Sequence, residues 1–160
     1  MSKVTQPIEG NTSTLHGGMD LIAHVVQSVP ALITYIDHEQ RFVFANEAHR
    51  HWFDVDPQRI MGRLAGEALD PESYLHIRSP LLQALAGKPS SYEGELFSGS
   101  GRRYVHGTFT PDFDEHGKVC GVFTVFTDVT ERHALEEQLR ESEQRFSLAF
   151  QHAAIGMALV

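Results

Sequence analysis

Ten histidines and a single cysteine are the side chains of this 160-residue chain best suited to bind a metal ion. Glu47 and His51 are four residues apart, so on a helix they would share a face and could hold one ion together. His49 and His51 are two residues apart and would point to different sides. Two ligands without a third make a weak site, so surface pairing is favoured and no metal site is predicted.

The sequence contains no motif that indicates catalysis. The sequence has no Gly-x-Ser-x-Gly, no phosphate-binding loop and no His-Glu-x-x-His. The acidic run "DFDEHG" is interpreted as a turn. We therefore predict no catalytic residues and no enzymatic activity in this chain.

Charge and composition exclude other classes of partner. The net charge is −8 and no cluster of Lys and Arg offsets it, so the chain should repel nucleic acid. No apolar run approaches the roughly 18 residues of a membrane span, and the N-terminus lacks an apolar signal core. One cysteine suits a reducing compartment. These features predict a cytoplasmic chain that contacts neither nucleic acid nor membrane.

The order of elements predicts an α+β fold. Residues 1–18 form a polar, mobile tail, and an amphipathic helix spans 19–29 before Pro30. A two-stranded hairpin, several short helices over 46–86 with predicted caps at Asn46, Asp56 and Asp70, three further strands and a charged terminal helix follow. This order favours one five-stranded antiparallel sheet with short helices on one face.

Alternation along the strands predicts a ligand pocket between the sheet and the helices. Gly94 and Gly107 lie at the centres of two apolar strand faces, where missing side chains would leave space. The alternative is that Trp52 and Phe53 fill this space as ordinary core. The predicted pocket residues are Thr34, Ile36, Phe42, Phe44, Trp52, Leu64, Leu96, Val105, Gly107, Phe109, Thr124 and Phe126.

The outer face of the predicted sheet is also apolar. Ile33, Tyr35, Val43, Phe123 and Val125 would lie on it. Exposed patches of this kind usually meet a partner. We expect the helix over 19–29, or a second subunit, to cover them.

Several motifs together resemble those of a PAS domain. They are "ALITYIDHEQRFVFANEA" at the first hairpin, "IMGR" before a short helix, "GR" after a strand turn and "DEHGKVCGVFTVFTDVTER" at the end. The resemblance spans about residues 20–132, and we assign 19–130 to the domain. It implies a sensory module that binds a small molecule between sheet and helices, or dimerises, and passes a change along its terminal helix.

The resemblance also bears on cofactors. Light-sensing flavin-binding relatives carry a cysteine after "GR", whereas Leu64 and Ala65 stand there in this chain, so flavin photochemistry is disfavoured. Haem-binding relatives supply a helical histidine, and His76 is the candidate for that role. A small apolar or aromatic ligand is the remaining expectation, with its identity left open.

The motif "DVTER" predicts a relay between the last strand and the terminal helix. Asp128 with Glu131, or Thr130 alone, can cap the first turn of that helix, and Arg132 follows them. Residues 131–145 are assigned to this signalling helix. Leu135, Leu139, Ser142 and Phe146 step by 4, 3 and 4, a heptad seam with one weak position, which predicts a coiled-coil homodimer. Phe150 is assigned to the same interface. The helix over 19–29 is the alternative dimer interface.

Residues 146–160 are interpreted as the truncated start of a second PAS domain. Shifted by 124 positions, this stretch aligns with the region from the first helix into the first strand, pairing Ile22 with Phe146 and Val26 with Phe150. The output domain would then lie beyond Val160. By analogy we expect a diguanylate cyclase or phosphodiesterase of cyclic di-GMP signalling in a bacterial multidomain protein. The alternative is a ligand-free interaction module of a sensor histidine kinase.

Overall fold

The computed structural model describes residues 12–98 and 101–158. Its elements in chain order are α1 (Thr12–Ser28), β1 (Leu32–Asp37), β2 (Phe42–Ala45), α2 (Ala48–Phe53), α3 (Pro57–Ile60), α4 (Ala65–Ala68), α5 (Pro71–Leu85), β3 (Ser90–Ser98), β4 (Gly101–Phe113), β5 (Val119–Asp128) and α6 (Thr130–Ala158). Within these ranges no helix is both long and apolar enough to cross a bilayer.

The five strands form one antiparallel sheet in the order β2-β1-β5-β4-β3. The short helices α2–α5 pack on one face, and the main core lies between them and the sheet. Side chains such as Phe109, Leu81, Val105 and Val122 are almost fully buried there. The predicted α+β class and the five-stranded antiparallel sheet are confirmed.

The short helices begin where side chains satisfy their free backbone N–H groups. Asp56 accepts a hydrogen bond from the Gln58 N–H at 3.0 Å, and Asp70 accepts from the N–H groups of Glu72 and Ser73. Pro57 and Pro71 occupy the first helical positions, where no hydrogen-bond donor is needed. These two caps match the sequence prediction.

Asn46, predicted as a cap, has a different structural role. Its side chain is fully buried and donates to the carbonyls of Val26 and Ala31, while its Oδ1 accepts from the Ile33 N–H. Asn46 therefore ties the end of α1 to the start of β1, and Glu47 stands at the N-cap of α2 without a side-chain cap bond.

A bulge in β2 reverses the predicted direction of one side chain. Ile36 pairs with Phe42, but its neighbour Tyr35 pairs with Phe44, so Val43 is the extra residue. Residues directly opposite on paired strands share a face, which puts Phe44 on the outer face with Tyr35. The prediction that Phe44 faces the helices is therefore wrong, because simple alternation ignores the bulge.

The N-terminal helix differs from the prediction in length and contacts. α1 begins at Thr12, so residues 12–18 of the predicted mobile tail are helical, and residues 1–11 of that tail lie outside the described residues. Met19, Leu21 and Ile22 remain 62–73% exposed. Val43 and Phe123 on the outer sheet face are also about half exposed. The helix therefore does not cover that face as expected.

The terminal helix α6 is one uninterrupted element from Thr130 to Ala158. It includes the predicted signalling helix over 131–145 and most of the segment assigned to a second domain. The extended stretch expected there is helical as far as Ala158, and Leu159 and Val160 lie outside the described residues. None of the residues described in α6 is buried.

Candidate functional site

A cavity of about 310 Å³ lies between the inner face of the sheet and helices α2–α5. Its wall is mainly aliphatic and aromatic, which is typical of small-molecule pockets, and its volume is at the lower end of their range. The lining side chains belong to Leu32, Thr34, Ile36, Phe42, His49, Phe53, Val55, Ile60, Ala68, Leu69, Asp70, Ser73, Ile77, Leu96, Phe97, Phe109, Thr124 and Phe126.

Many of the predicted pocket residues come together in this wall. They are Thr34, Ile36, Phe42, Leu96, Phe109, Thr124 and Phe126. The others do not line it. Phe44 lies on the outer face, Leu64 pairs with Arg41 in an isolated bridge, Val105 is enclosed in the core, and Trp52 and Gly107 have neighbours described below.

The reason predicted for the cavity is wrong. A Cβ atom added at Gly107 would overlap the ring of Phe126, and one at Gly94 would overlap the ring and hydroxyl of Tyr92. Aromatic rings therefore occupy the space over both glycines. The cavity lies beside these rings, and Phe53 forms part of its wall without filling it.

His49 is a buried polar side chain of the wall that the sequence analysis did not predict, and Asp70 and Ser73 are two further polar residues of the wall that it did not include. His49 is only 4% exposed, and its Nδ1 lies 3.2 Å from the carbonyl oxygen of Asn46. Burial lowers its pKa to about 4, although the bond to Asn46 acts in the opposite direction. A helical period would have revealed it, since Trp52 and Phe53, three and four residues on, mark the apolar face of α2.

The other histidines considered for cofactors are placed elsewhere. His76 is exposed on α5, near the rings of Tyr92 and Phe97, and does not line the cavity. It is therefore not positioned to ligate haem there. His51 is exposed, and Glu47 pairs with Arg50 at 3.1 Å. In residues 12–98 and 101–158, no three His, Cys, Asp or Glu side chains are grouped to hold a metal ion.

The junction between β5 and α6 is held by a hydrogen-bond network around Asp128 and Thr130. Asp128 Oδ1 accepts from both the N–H and the hydroxyl of Thr130, at 2.9 and 2.6 Å. Arg103 Nη1 donates to Asp128 Oδ2 at 2.7 Å. Partial burial opposes ionisation, but the bonds from Thr130 and Arg103 prevail and lower the pKa of Asp128.

Strand β4 anchors the same junction. The Tyr104 N–H donates to Thr130 Oγ1 at 3.1 Å, and the Val129 N–H donates to the Tyr104 carbonyl at 2.8 Å. The Tyr104 ring also stacks on His133, with ring centroids 3.5 Å apart. The first turn of α6 is therefore attached directly to the sheet.

The remaining predicted relay residues lie around this junction. Arg132 reaches Glu93 on β3 and Glu136 on its own helix, each at 3.5 Å, and Glu131 is exposed in the first turn of α6. Trp52 is buried under the guanidinium of Arg103, 5.3 Å from the ring centroid, beside a second cleft that Asp128 and Thr130 also line. Trp52 thus belongs with the junction, which explains its absence from the cavity wall.

Comparison with known families assigns this fold. A family model described as "PAS fold" matches residues 26–134, which is more than half of the chain. The chain belongs to the PAS fold family. The match includes the cavity, the "DVTER" junction and the first turn of α6. No curated protein matches the chain in sequence.

Solved structures of PAS domains show the same fold. One from Colwellia psychrerythraea has a TM-score of 0.60 at 16% identity, covering 71% of this chain and 98% of that chain. A sensory box sensor histidine kinase from Vibrio cholerae gives 0.55 at 18%, covering 74% and 98%. The N-terminal domain of a diguanylate cyclase from Marinobacter aquaeolei gives 0.54 at 12%, covering 64% and 98%. At these identities the likeness supports the fold alone.

Proposed function

We propose that this PAS sensory domain binds a small ligand in its inner cavity and relays the occupancy of that cavity through α6 to an output domain. The observation that carries the proposal is the position of β5. Thr124 and Phe126 form part of the cavity wall, and two residues after Phe126 the same strand reaches Asp128, which caps α6. A displacement of the wall by a ligand therefore has a short covalent route to the helix.

Exposed apolar side chains support a dimer as the state in which the relay acts. Leu135, Leu139, Phe146 and Phe150 are 59–72% exposed along α6. The first three follow heptad spacing, and a coiled coil would bury them against a second copy of the helix. The proposal is thus a homodimer in which two parallel helices carry the change.

The proposed output domain is a diguanylate cyclase or phosphodiesterase in the parent protein. The Marinobacter aquaeolei domain described above belongs to a diguanylate cyclase with a PAS/PAC sensor, which supports this analogy. The Vibrio cholerae relative is a sensor histidine kinase and supports the alternative output. A single free cysteine suits a reducing compartment, so the proposal places the module in the cytoplasm.

Native mass spectrometry of freshly purified protein tests ligand binding. We expect an added non-covalent mass, because the cavity is apolar and large enough for a small molecule. Ala68→Trp would put a large ring into the wall and abolish the added mass. Ala86→Trp is the matched control, since Ala86 is exposed at the end of α5. A bare mass in the parent protein overturns the ligand proposal.

The second candidate is a ligand-free dimerisation module, favoured by the same exposed side chains on α6. It predicts a dimer with a bare mass, and added cell-extract metabolites should change the melting temperature of neither the parent nor Ala68→Trp. The ligand-binding proposal predicts that these metabolites raise the melting temperature of the parent alone.

A further inference from the structure

The cavity contains a histidine whose tautomer is determined by its surroundings. His49 Nδ1 faces the carbonyl oxygen of Asn46, and a carbonyl can only accept, so Nδ1 carries the proton. Burial keeps the ring neutral near pH 7. Nε2 is then an unprotonated acceptor, and within the described residues no group donates to it. A 4% exposed side chain in the cavity wall thus presents an acceptor without a protein partner.

Two threonines on adjacent strands supply a hydrogen-bond donor to the cavity. Thr34 and Thr124 both line the cavity, both are buried, and their hydroxyls share one hydrogen bond. Two hydroxyls have two protons, and that bond uses one of them. Within the described part of the chain, the second proton has no other acceptor. The pair therefore retains one O–H donor.

The rest of the wall argues against a charged ligand. Among the described lining residues Asp70 is the charged side chain, but it is exposed to solvent, and its Oδ1 accepts from the backbone of Glu72 and Ser73. No Lys or Arg among those residues could neutralise an anion. Burying an unpaired charge in such surroundings is costly, whereas a neutral molecule with matched polar groups is not penalised.

From this geometry we propose that the cavity selects a neutral, largely apolar or aromatic molecule that donates a hydrogen bond to His49 Nε2 and accepts one from the Thr34–Thr124 pair. A ring carrying an N–H or O–H beside a carbonyl has this chemistry. The inference rests on the proposed function, since it specifies the ligand class of the same cavity. It makes His49 and the threonine pair the residues that determine specificity.

Four two-ring probes separate the two hydrogen bonds from apolar burial. Quinolin-2-one offers an N–H donor and a carbonyl acceptor, 1-methylquinolin-2-one keeps only the acceptor, naphthalene has neither, and 2-naphthoate is an anion. Their dissociation constants for the full chain are measured by ligand-observed NMR at pH 7. We expect quinolin-2-one to bind most tightly, with about a three- to tenfold loss for each missing hydrogen bond.

Two variants assign each preference to a side chain. His49→Phe keeps a ring but lacks the acceptor, so it should bind quinolin-2-one and its N-methyl derivative alike. A steric effect of the methyl group would persist in this variant. Thr34→Val with Thr124→Val removes both hydroxyls and should abolish the preference of 1-methylquinolin-2-one over naphthalene. His51→Phe, at an exposed position on the same helix, is the control that should leave both preferences unchanged.

The outcomes distinguish this inference from the proposed function. Equal affinities for the neutral probes, tightest binding of 2-naphthoate, or preferences that persist in both variants would overturn the inference while leaving a ligand cavity in place. A co-purified molecule that is charged or lacks a donor would also contradict it. If no probe binds and the native mass is bare, the proposed function fails as well.

Discussion

At the scale of single residues, the contact between Gly107 and Phe126 connects the sheet to the cavity wall. Gly107→Ala places a methyl group against the ring of Phe126, which lines the cavity. We expect the ring to shift into the cavity and the free energy of unfolding to fall by about 1–3 kcal/mol. Chemical denaturation measures this loss.

The matched control for this substitution is Gly156→Ala on α6. An added Cβ there has no neighbour within 4 Å, so the free energy of unfolding should not fall. A Gly107→Ala protein as stable as the parent would mean that the ring does not occupy the position described for it.

His49 should make stability depend on pH. Burial lowers its pKa to about 4 from an ordinary 6.5. Between these two pH values His49 is protonated in the unfolded chain but neutral in the folded chain. Stability from this group is complete above pH 6.5 and decreases as the pH falls towards 4, with a slope approaching about 1.4 kcal/mol per pH unit. Urea denaturation between pH 7 and pH 4 measures this slope.

Comparison with His49→Phe isolates the contribution of the imidazole. Carboxylates are common to both proteins and cancel in the difference, so the variant should lose less stability over this pH range. His51→Phe keeps His49 and should behave as the parent. Parallel pH profiles of the parent and His49→Phe would contradict the buried neutral histidine.

Residue-level features were the least predictable from sequence. The inward direction of Thr34, Thr124 and Phe126 followed from strand alternation. The outward direction of Phe44 did not follow from alternation, because it depends on a bulge in β2, and a simple alternating pattern does not predict bulges. The sequence marked Gly107 as unusual, but it could not show whether a ring fills the space above this glycine. That depends on the rotamer of Phe126 on the adjacent strand.

At the scale of secondary-structure elements, Thr130 determines how α6 leaves the sheet. Its hydroxyl contacts Asp128 and the Tyr104 N–H, so Thr130→Val removes both bonds with little change in shape. The loss of such a cap costs about 0.5–2 kcal/mol locally. Amide hydrogen exchange over residues 130–133 should therefore become faster.

Gln144→Ala is the control for this change, since Gln144 is exposed in the middle of the same helix and lies opposite the heptad seam. It should leave exchange at the first turn unchanged. Unaltered exchange in Thr130→Val would show that the junction does not depend on this hydroxyl.

Element types were predictable, but their limits were not. Pro57 and Pro71 with their preceding aspartates marked two helix starts, because capping is a local property. The boundaries of the two long helices did not follow from the sequence pattern. α1 extends seven residues before its apolar period, and α6 continues as a helix through the stretch expected to be extended, although none of its described residues is buried.

At the scale of the whole molecule, the exposed apolar stripe on α6 predicts self-association. Leu139→Glu would put a charge into the coiled-coil interface, so it should shift the protein from dimer to monomer in sedimentation velocity. Gln144→Glu adds the same charge on the opposite side of the heptad and should remain dimeric. A monomeric parent protein, or a dimer that persists in Leu139→Glu, would contradict the proposed interface.

If occupancy of the cavity acts on the start of α6, amide hydrogen exchange at that junction should differ between the occupied and the empty protein. Exchange over residues 130–133 is compared in protein as purified, with its ligand, and after ligand removal confirmed by native mass spectrometry. We expect the exchange rates at the junction to differ by about fivefold or more between the two forms, and by much less in Thr130→Val. Identical exchange at the junction in the occupied and emptied parent protein would contradict the proposed relay.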